Sequence, residues 1–152
     1  MITYIKNGDI LSSSCEGIIN TVNTQGVMGK GLALLYRQKY PEMFKVYRKA
    51  CLNKEVKTGF MHVWKVSNQD KWIINFPTKQ HWRNPSQLEW IIEGLQDLVK
   101  VVKENKIKSL GIPPLGCGYG GLPFYLVKKE ILKIHDKFWE NLKVELYIPL
   151  DH

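Results

Sequence analysis

A lysine lies just beyond an apolar segment whose composition is typical of a buried strand. The stretch NFPTKQHW (75–82) follows Trp72-Ile73-Ile74, and we predict a strand, Trp72–Phe76, that ends at Pro77. Lys79 would then lie at the carboxyl end of a strand, where α/β proteins bind their ligands. A lysine amine becomes a nucleophile where burial or a neighbouring cation lowers its pKa, so this position could support covalent chemistry.

Two glycine-rich segments have the sequence pattern of anion-binding turns. GVMGKGLA (26–33) and PPLGCGYGGL (113–122) each follow a predicted strand and precede a predicted helix. Glycines let the backbone approach a ligand closely, and the free N–H groups of a helix N-terminus favour negative charge. Neither segment is a P-loop or a Rossmann fingerprint, and each alone could be a tight turn. Together they predict a ligand of the diphosphate type.

Strand and helix signals alternate along the whole chain. We predict strands at Ile2–Ile5, Gly17–Val22, Phe60–Val66, Trp72–Phe76, Ser109–Pro113 and Val144–Ile148. Apolar residues at helical spacing predict helices at Leu32–Leu52 (two helices, or one kinked at Pro41), Pro85–Glu104 and Tyr125–Asn141. This order predicts an α/β protein in which helices cover both faces of a mixed, mainly parallel sheet.

Length and composition limit the class of protein. The 152 residues suit a single domain over 1–152, and no apolar run approaches the ~20 residues of a membrane span. The N-terminus lacks the apolar core of a secretory signal. Cys15, Cys51 and Cys117 form no metal-binding pattern, so we expect a reduced, cytoplasmic protein without a metal. The net charge of +8 suits either a polyanionic partner or a lysine-rich solvated surface.

Five motifs, in this order and spacing, resemble those of the macrodomain family, whose members bind ADP-ribose. They are GDI (8–10), IINTVN (18–23), GVMGKGLAL (26–34), NFPTKQHW (75–82) and PPLGCGYGGL (113–122). The resemblance covers essentially the whole chain and implies a three-layer α/β/α fold. The stretches NTVNTQGVMGKG, NFPTK-HW and PPLGCG-GGL are most similar to the DarG antitoxin branch, which removes ADP-ribose from thymidine bases in DNA. Terminal ADP-ribose protein glycohydrolase is a near relative.

The resemblance also implies which residues contact ADP-ribose. Asp9 would accept a hydrogen bond from the adenine amino group, with Ile10 alongside, although Asp9 could simply close the NGD turn. Asn23 would bind the distal ribose near the scissile bond. Lys30 could instead be an exposed loop lysine, and no base in the motifs would activate Cys117 as a nucleophile. The implied contacts of the two glycine-rich turns are Gly29, Lys30, Gly31, Leu115, Gly116, Cys117, Gly118, Tyr119 and Gly120.

By the same resemblance, Lys79 and Asn23 lie at the reaction centre. Glycosidases usually place two carboxylates at such a centre, but the motifs bring no carboxylate pair there. We hypothesise that burial and a cation such as Lys30 or Arg83 lower the pKa of Lys79, whose amine attacks C1″ of the distal ribose or its ring-opened aldehyde. Water would resolve the lysyl–ADP-ribose adduct. Alternatively, Lys79 stabilises the departing base or orients water.

The loop after Lys79 carries three residues that suit DNA. Trp82 could stack on a splayed base while His81 and Arg83 hold a phosphate, or it could pin the loop to the protein. The protein-directed relative has an aspartate, thought to help resolve the adduct, where this chain has Gly120. Its absence fits the DNA-directed branch. His81 could replace it as an acid/base or could only structure the loop.

The expected function is therefore removal of ADP-ribose from thymidine in single-stranded DNA, as an antitoxin to a DarT-like DNA ADP-ribosyltransferase. Such an enzyme would hydrolyse an N-glycosidic bond as a monomer without a cofactor, away from membranes. One alternative is a non-catalytic reader that only binds ADP-ribose, and another is a deacylase of ADP-ribosylated protein glutamate. A third is a basic nucleic-acid-binding module, whose DNA affinity would fall steeply with salt.

Overall fold

Strands and helices alternate along the chain, and the computed structural model describes residues 1–150. The strands are β1 (Ile2–Ile5), β2 (Gly17–Asn23), β3 (His62–Lys65), β4 (Trp72–Lys79), β5 (Ser109–Ile112) and β6 (Lys143–Tyr147). The α-helices are α1 (Gly31–Lys39), α2 (Pro41–Leu52), α3 (Leu88–Glu104) and α4 (Phe124–Phe138). Within residues 1–150, no helix combines the length and the apolar character needed to cross a membrane.

The strands form one sheet in the order β1-β6-β5-β2-β4-β3. Every neighbouring pair is parallel except β3 and β4, which are antiparallel. The predicted mixed, mainly parallel sheet is confirmed. Because β2 lies between β5 and β4, the loops that follow these three strands meet at one edge of the sheet, the edge where α/β proteins bind ligands.

Helices cover both faces of the sheet, which confirms the predicted three-layer α/β/α architecture. On one face, α1 and α2 bury Tyr36, Met43 and Tyr47 against strand residues such as Ile18. On the other face, α3 and α4 form a larger apolar core with the sheet. The fully buried residues of these two helices are Ile91, Leu95, Leu98, Val127 and Ile131. Their spacing of three and four residues is what brings them onto one face of each helix.

Of two prolines predicted near helix starts or kinks, Pro41 begins a helix and Pro85 does not. The segment Leu32–Leu52 is two helices, because Pro41 lacks an N–H and occupies the first position of α2. The prediction that Pro85 lies in the first turn of a helix is wrong, since α3 begins at Leu88. The Ser86 N–H instead donates to the Gly120 carbonyl at 2.9 Å, which holds this segment against the glycine-rich turn.

The sequence predicted that this strand ends at Pro77, but β4 continues to Lys79. Strand β3 pairs only with the first half of β4, so on that side the missing N–H of Pro77 breaks no ladder. On the other side Pro77 pairs with Val22 of β2, and the register then shifts so that Asn23 pairs with Lys79. Thr78 is the extra residue of this bulge, and Lys79 is the last residue of the strand.

Candidate active site

A cavity of about 350 Å³ opens at the carboxyl ends of β2 and β4. Two loops border it, which we call the first glycine loop (24–30) and the second glycine loop (113–122). The expected contact residues that line the cavity are Asn23, Gly29, Lys30, Lys79, Trp82, Gly116, Cys117, Tyr119 and Gly120. The lining residues that the sequence analysis missed are Thr21, Val22, Val27, Leu32, Ala33 and Thr78. Each of them lies within a few positions of an expected residue, so assigning the whole of each motif to the site would have included them.

Lys79 and Asn23 lie side by side because the bulge pairs them across β2 and β4. The Lys79 ammonium is half-buried and donates to the Trp82 carbonyl at 3.2 Å. Burial, and then the positive charge of Lys30, lower the pKa of Lys79 below its usual 10.5. A larger share of the amine is therefore neutral near physiological pH, and the neutral amine is the nucleophilic form.

The Asn23 side chain organises the first glycine loop. Its Oδ1 accepts from the backbone N–H groups of Gln25 at 2.9 Å and Val27 at 3.4 Å, and its Nδ2 donates to the Val27 carbonyl at 2.9 Å. The Tyr47 hydroxyl donates to the Asn23 carbonyl at 2.6 Å and lies 3.1 Å from Oδ1. One N–H of the Asn23 amide remains for a ligand, since an amide nitrogen carries two.

Both glycine loops present backbone N–H groups that have no acceptor within residues 1–150. The first loop leads into the N-terminus of α1, whose dipole favours an anion. In the second loop, Gly116 has a φ of +71°, and a Cβ there would lie 2.7 Å from Leu122 Cδ1, so only glycine fits. The amides that donate no hydrogen bond in this part of the chain include those of Gly29, Lys30, Gly31, Gly116, Gly118 and Tyr119.

Aromatic and cationic side chains flank the cavity on two sides. On the side of the glycine loops, Lys30 Nζ lies 4.0 Å from the centroid of the Tyr119 ring. On the other side, Trp82 stacks with His81 at 5.6 Å between ring centroids, and the Arg83 guanidinium lies 4.6 Å from the Trp82 ring centroid. His81 Nδ1 also accepts from the Arg83 N–H at 3.1 Å, which is the loop-structuring bond of the alternative interpretation. Only Trp82 of this trio lines the cavity.

Asp9 and Ile10 follow β1 at the same edge of the sheet but do not line the cavity. The Asp9 carboxylate accepts from the Leu11 N–H at 3.0 Å and from the Ser12 hydroxyl at 2.9 Å, so it closes the turn. The Ile10 side chain is buried in the core with Ile18. An adenine contact at Asp9 would have to share the carboxylate with this turn.

A buried polar chain supports the first glycine loop from beneath. Asn20 Nδ2 donates to Asn75 Oδ1 at 3.2 Å and lies 3.7 Å from Met28 Sδ, within the loop. Asn75 Nδ2 in turn lies 3.2 Å from His62 Nδ1. Burial lowers the pKa of His62, which favours the neutral ring that can accept from Asn75.

Ser86 is a buried residue at the site that sequence reasoning missed. Its side chain is 5% exposed, and its Oγ has no hydrogen-bond partner in residues 1–150. It packs beneath the second glycine loop, where a Cβ on Gly120 would lie 2.5 Å from Ser86 Oγ. Serine is common in loops, so its sequence position carried no signal.

The cavity holds amines and amides rather than carboxylates. Among residues 1–150, no Asp or Glu lines it, and no group of three His, Cys, Asp or Glu side chains is placed to bind a metal ion. The arrangement combines a nucleophilic amine, Lys79, with two loops of unpaired backbone donors. It can hold a diphosphate beside an electrophilic carbon.

Comparison with known proteins gives a family and close relatives. The Macro domain family model matches residues 19–131. The structure of the macrodomain of Mycobacterium tuberculosis DarG is 46% identical and superposes with a TM-score of 0.94, covering 98% of each chain. The structure of Thermosipho africanus DarTG in complex with ADP-ribose is 34% identical with a TM-score of 0.90, over 99% of this chain and 42% of that one.

A curated relative extends beyond the matched region. The DNA ADP-ribosyl glycohydrolase of Mycobacterium tuberculosis is 50% identical over 134 residues, which are 87% of this chain and 38% of that protein. The chain thus spans about two-fifths of the length of this relative.

Proposed function

Because the chain belongs to the macrodomain family, we propose that it hydrolyses the N-glycosidic bond between ADP-ribose and a thymidine base in single-stranded DNA. The relative from Mycobacterium tuberculosis, 50% identical to this chain, is named a DNA ADP-ribosyl glycohydrolase. The observation that carries the proposal is Lys79, an amine of lowered pKa at a cavity that no carboxylate of residues 1–150 lines. A reader that only binds ADP-ribose has no use for such an amine.

The unpaired backbone donors support a binding mode for ADP-ribose. The diphosphate would lie between the two glycine loops, whose N–H groups and the α1 dipole favour its negative charge. The distal ribose would then reach Asn23 and Lys79, which are paired across the bulge. The adenine would extend toward Asp9 and Ile10, at the same edge of the sheet.

The proposed reaction has two steps, both centred on Lys79. The neutral amine forms a bond to C1″ of the distal ribose while the bond from C1″ to the base nitrogen breaks, and the base takes the proton that the newly bonded lysine nitrogen releases. The resulting glycosylamine opens its ribose ring to an imine, which is the form that borohydride reduces. A water molecule then adds to C1″, and the lysine nitrogen departs with a proton from that water. The first step needs the lysine unprotonated, which its lowered pKa favours.

Release of ADP-ribose from a thymidine-modified oligonucleotide tests the proposal. The wild-type protein should release it, Lys79→Ala should not, and both should bind free ADP-ribose. Lys100→Ala, at an exposed position on α3, is the matched control and should behave as wild type. Binding without release by the wild type would make the protein a reader. Faster release from glutamate-modified protein would make it a deacylase.

Borohydride trapping tests the covalent step separately. Reduction during turnover should leave an ADP-ribose adduct on wild-type protein and none on Lys79→Ala. Hydrolysis that depends on Lys79 without any trapped adduct would instead assign Lys79 to stabilising the leaving base or to orienting water.

We also propose the biological setting of this activity. A relative from Thermosipho africanus, 34% identical to this chain, is named a fusion protein of a DNA ADP-ribosyl transferase and a DNA ADP-ribosyl glycohydrolase. We infer that residues 1–152 form one monomeric macrodomain, which acts in the cytoplasm and counteracts a DarT-like toxin. Co-expression should restore growth of cells that produce such a toxin, whereas Lys79→Ala should not. Size-exclusion chromatography with light scattering checks the monomer.

A further inference from the structure

An exposed tyrosine joins the two glycine loops at the rim of the cavity. Tyr119 belongs to the second glycine loop and is 65% exposed. Its Cε2 atom lies 3.1 Å from the point that a Cβ on Gly31 would occupy, so the ring packs directly on the start of α1. On the same ring lies Lys30 Nζ, 4.0 Å from the centroid. An aromatic face attracts an ammonium at this distance through its quadrupole.

The Tyr119 ring is the contact that fixes the Lys30 ammonium. Lys30 is exposed and makes no ion pair within residues 1–150, where the paired lysines are Lys45 and Lys133. A lysine side chain has four rotatable bonds, so without a contact its charge would spread over many positions in solvent. The Tyr119 ring therefore determines how close the Lys30 charge stays to the cavity.

The Lys30 charge reaches the reacting amine. Burial is the larger cause of the lowered pKa of Lys79, and the Lys30 charge is the second. Within the described residues, the other ionisable groups at the cavity are Cys117 and Tyr119 of the second glycine loop, and no carboxylate lines it to offset the positive charge of Lys30. On the β4 side, Lys79 meets the neutral carbonyl of Trp82. Any movement of Lys30 into solvent would weaken its effect on Lys79, because water screens the interaction.

We propose that Tyr119 is a positioning residue for catalysis, whose ring holds the Lys30 ammonium at the rim of the cavity so that its charge keeps the Lys79 amine available for attack. The inference rests on the proposed function and adds to it a role for a side chain that the family resemblance used only through its backbone. It requires the ring of Tyr119 and not its hydroxyl, since the face of the ring makes the contact with Lys30.

The titration of Lys79 in the free protein tests this inference without any substrate. Lysines are reductively methylated with ¹³C, and the Lys79 resonance is assigned by its loss in Lys79→Arg. Tyr119→Leu should raise the pKa of Lys79, because the released Lys30 ammonium can move into solvent, where water screens its charge. Lys30→Met should raise it at least as much, and Tyr119→Leu should add nothing once Lys30 is replaced.

Two further variants make the titration specific. Tyr119→Phe keeps the ring and should give the wild-type titration of Lys79. Tyr125→Leu removes a tyrosine of matched exposure, 66%, on α4 and should leave the titration unchanged. An unchanged Lys79 titration in Tyr119→Leu would overturn the inference, and so would equal shifts in Tyr119→Phe and Tyr119→Leu.

The pH–rate profile provides the functional readout. The acidic limb of hydrolysis should move to higher pH in Tyr119→Leu and in Lys30→Met, and Tyr119→Phe should return it to the wild-type position. A change in rate at every pH without movement of the limb would assign Tyr119 to substrate binding alone. If the wild-type protein releases no ADP-ribose, the proposed function is wrong, whereas normal hydrolysis by Lys79→Ala would overturn the role of Lys79. In either case the titration of the free protein still decides whether Tyr119 positions the Lys30 charge.

Discussion

The hydroxyl of Ser86 occupies the space that a side chain on Gly120 would enter. The point that a Cβ would occupy there is 2.5 Å from Ser86 Oγ and 4.0 Å from Lys79 Cε. The same point thus faces the buried serine and the side chain of Lys79. An aspartate at residue 120 would require Ser86 to move or to be replaced.

This contact predicts that a single methyl group at residue 120 destabilises the protein. Gly120→Ala should lower the free energy of unfolding by about 1–3 kcal/mol, the usual cost of overpacking a buried site. Ser86→Gly should restore most of that loss in the double variant, as measured by urea denaturation of all four proteins. Gly29→Ala is the control, because the nearest atom to its Cβ would be 3.5 Å away. Additive losses in the double variant would contradict the contact.

Two substitutions of Asp9 distinguish a role in closing the turn from a role in binding adenine. Asp9→Ala should cost about 0.5–2 kcal/mol of stability, because the N–H of Leu11 and the hydroxyl of Ser12 lose their acceptor. Asp9→Asn keeps a capping oxygen, so its stability should stay near wild type. Calorimetry of ADP-ribose binding completes the test. Weaker binding by Asp9→Asn at unchanged stability supports the adenine contact, and unchanged binding in both variants removes it.

Tyr47 should affect ligand binding although it does not line the cavity. Tyr47→Phe removes the hydroxyl that donates to Asn23, and it should cost about 0.5–1.5 kcal/mol of stability and weaken ADP-ribose binding. Tyr36→Phe removes a comparable buried hydroxyl, which donates to the Ile19 carbonyl at 2.8 Å. It should cost similar stability with no loss of affinity. Equal affinity losses in the two variants would mean that general destabilisation, not the loop, weakens binding.

Trp82 and Arg83 should matter for DNA more than for ADP-ribose. Stacking of a base on an aromatic ring contributes about 1–3 kcal/mol, so Trp82→Ala should raise KM for the modified oligonucleotide by roughly 5- to 150-fold. Affinity for free ADP-ribose should change far less. Arg83→Ala should reduce the salt dependence of DNA binding by about 0.7 in the log–log slope, and exposed Lys137→Ala should not. Proportional losses for DNA and ADP-ribose would assign Trp82 to the loop alone.

Protonation of His62 should destabilise the protein in mild acid. Its pKa in the folded state is lowered below 6.5, so the unfolded state takes up the proton first as the pH falls. Stability is therefore complete above about pH 6.5 and declines below it, by at most about 1.4 kcal/mol per pH unit for this one proton. His62→Gln should remove this part of the decline in denaturation curves measured from pH 7 to 5. An unchanged slope in that variant would refute the assignment.

Hydrophobic spacing was enough to predict the layers of the fold. The apolar face of α3 and the apolar run of β2 are local patterns, and both lie where their periodicity indicates. The errors occurred where a distant segment decides the local structure. Pro77 continues a strand because β3 begins only at His62, opposite Asn75, and Pro85 stays outside α3 because Ser86 is bonded to Gly120. Neither partner is visible from the neighbouring residues.

The sequence predicted those residues of the candidate site that belong to a recognisable motif. Lys79, Asn23 and the glycine loops belong to such motifs, and the structure brings them to one cavity. Tyr47 and Ser86 act on that cavity from beneath, through single contacts with residues far away in the sequence. Such contacts depend on packing between layers, which no local pattern encodes.

The bulge at Thr78 determines on which face of β4 the Lys79 side chain lies. Successive residues of a strand alternate between its two faces, and one inserted residue reverses that alternation for every residue after it. Deletion of Thr78 would therefore carry Lys79 to the opposite phase, with the rest of the sheet intact. A regular strand that keeps this local sequence but lacks the extra residue would turn the lysine away from the cavity in the same way. Moving this chemistry to another sheet requires transferring the insertion together with the amine.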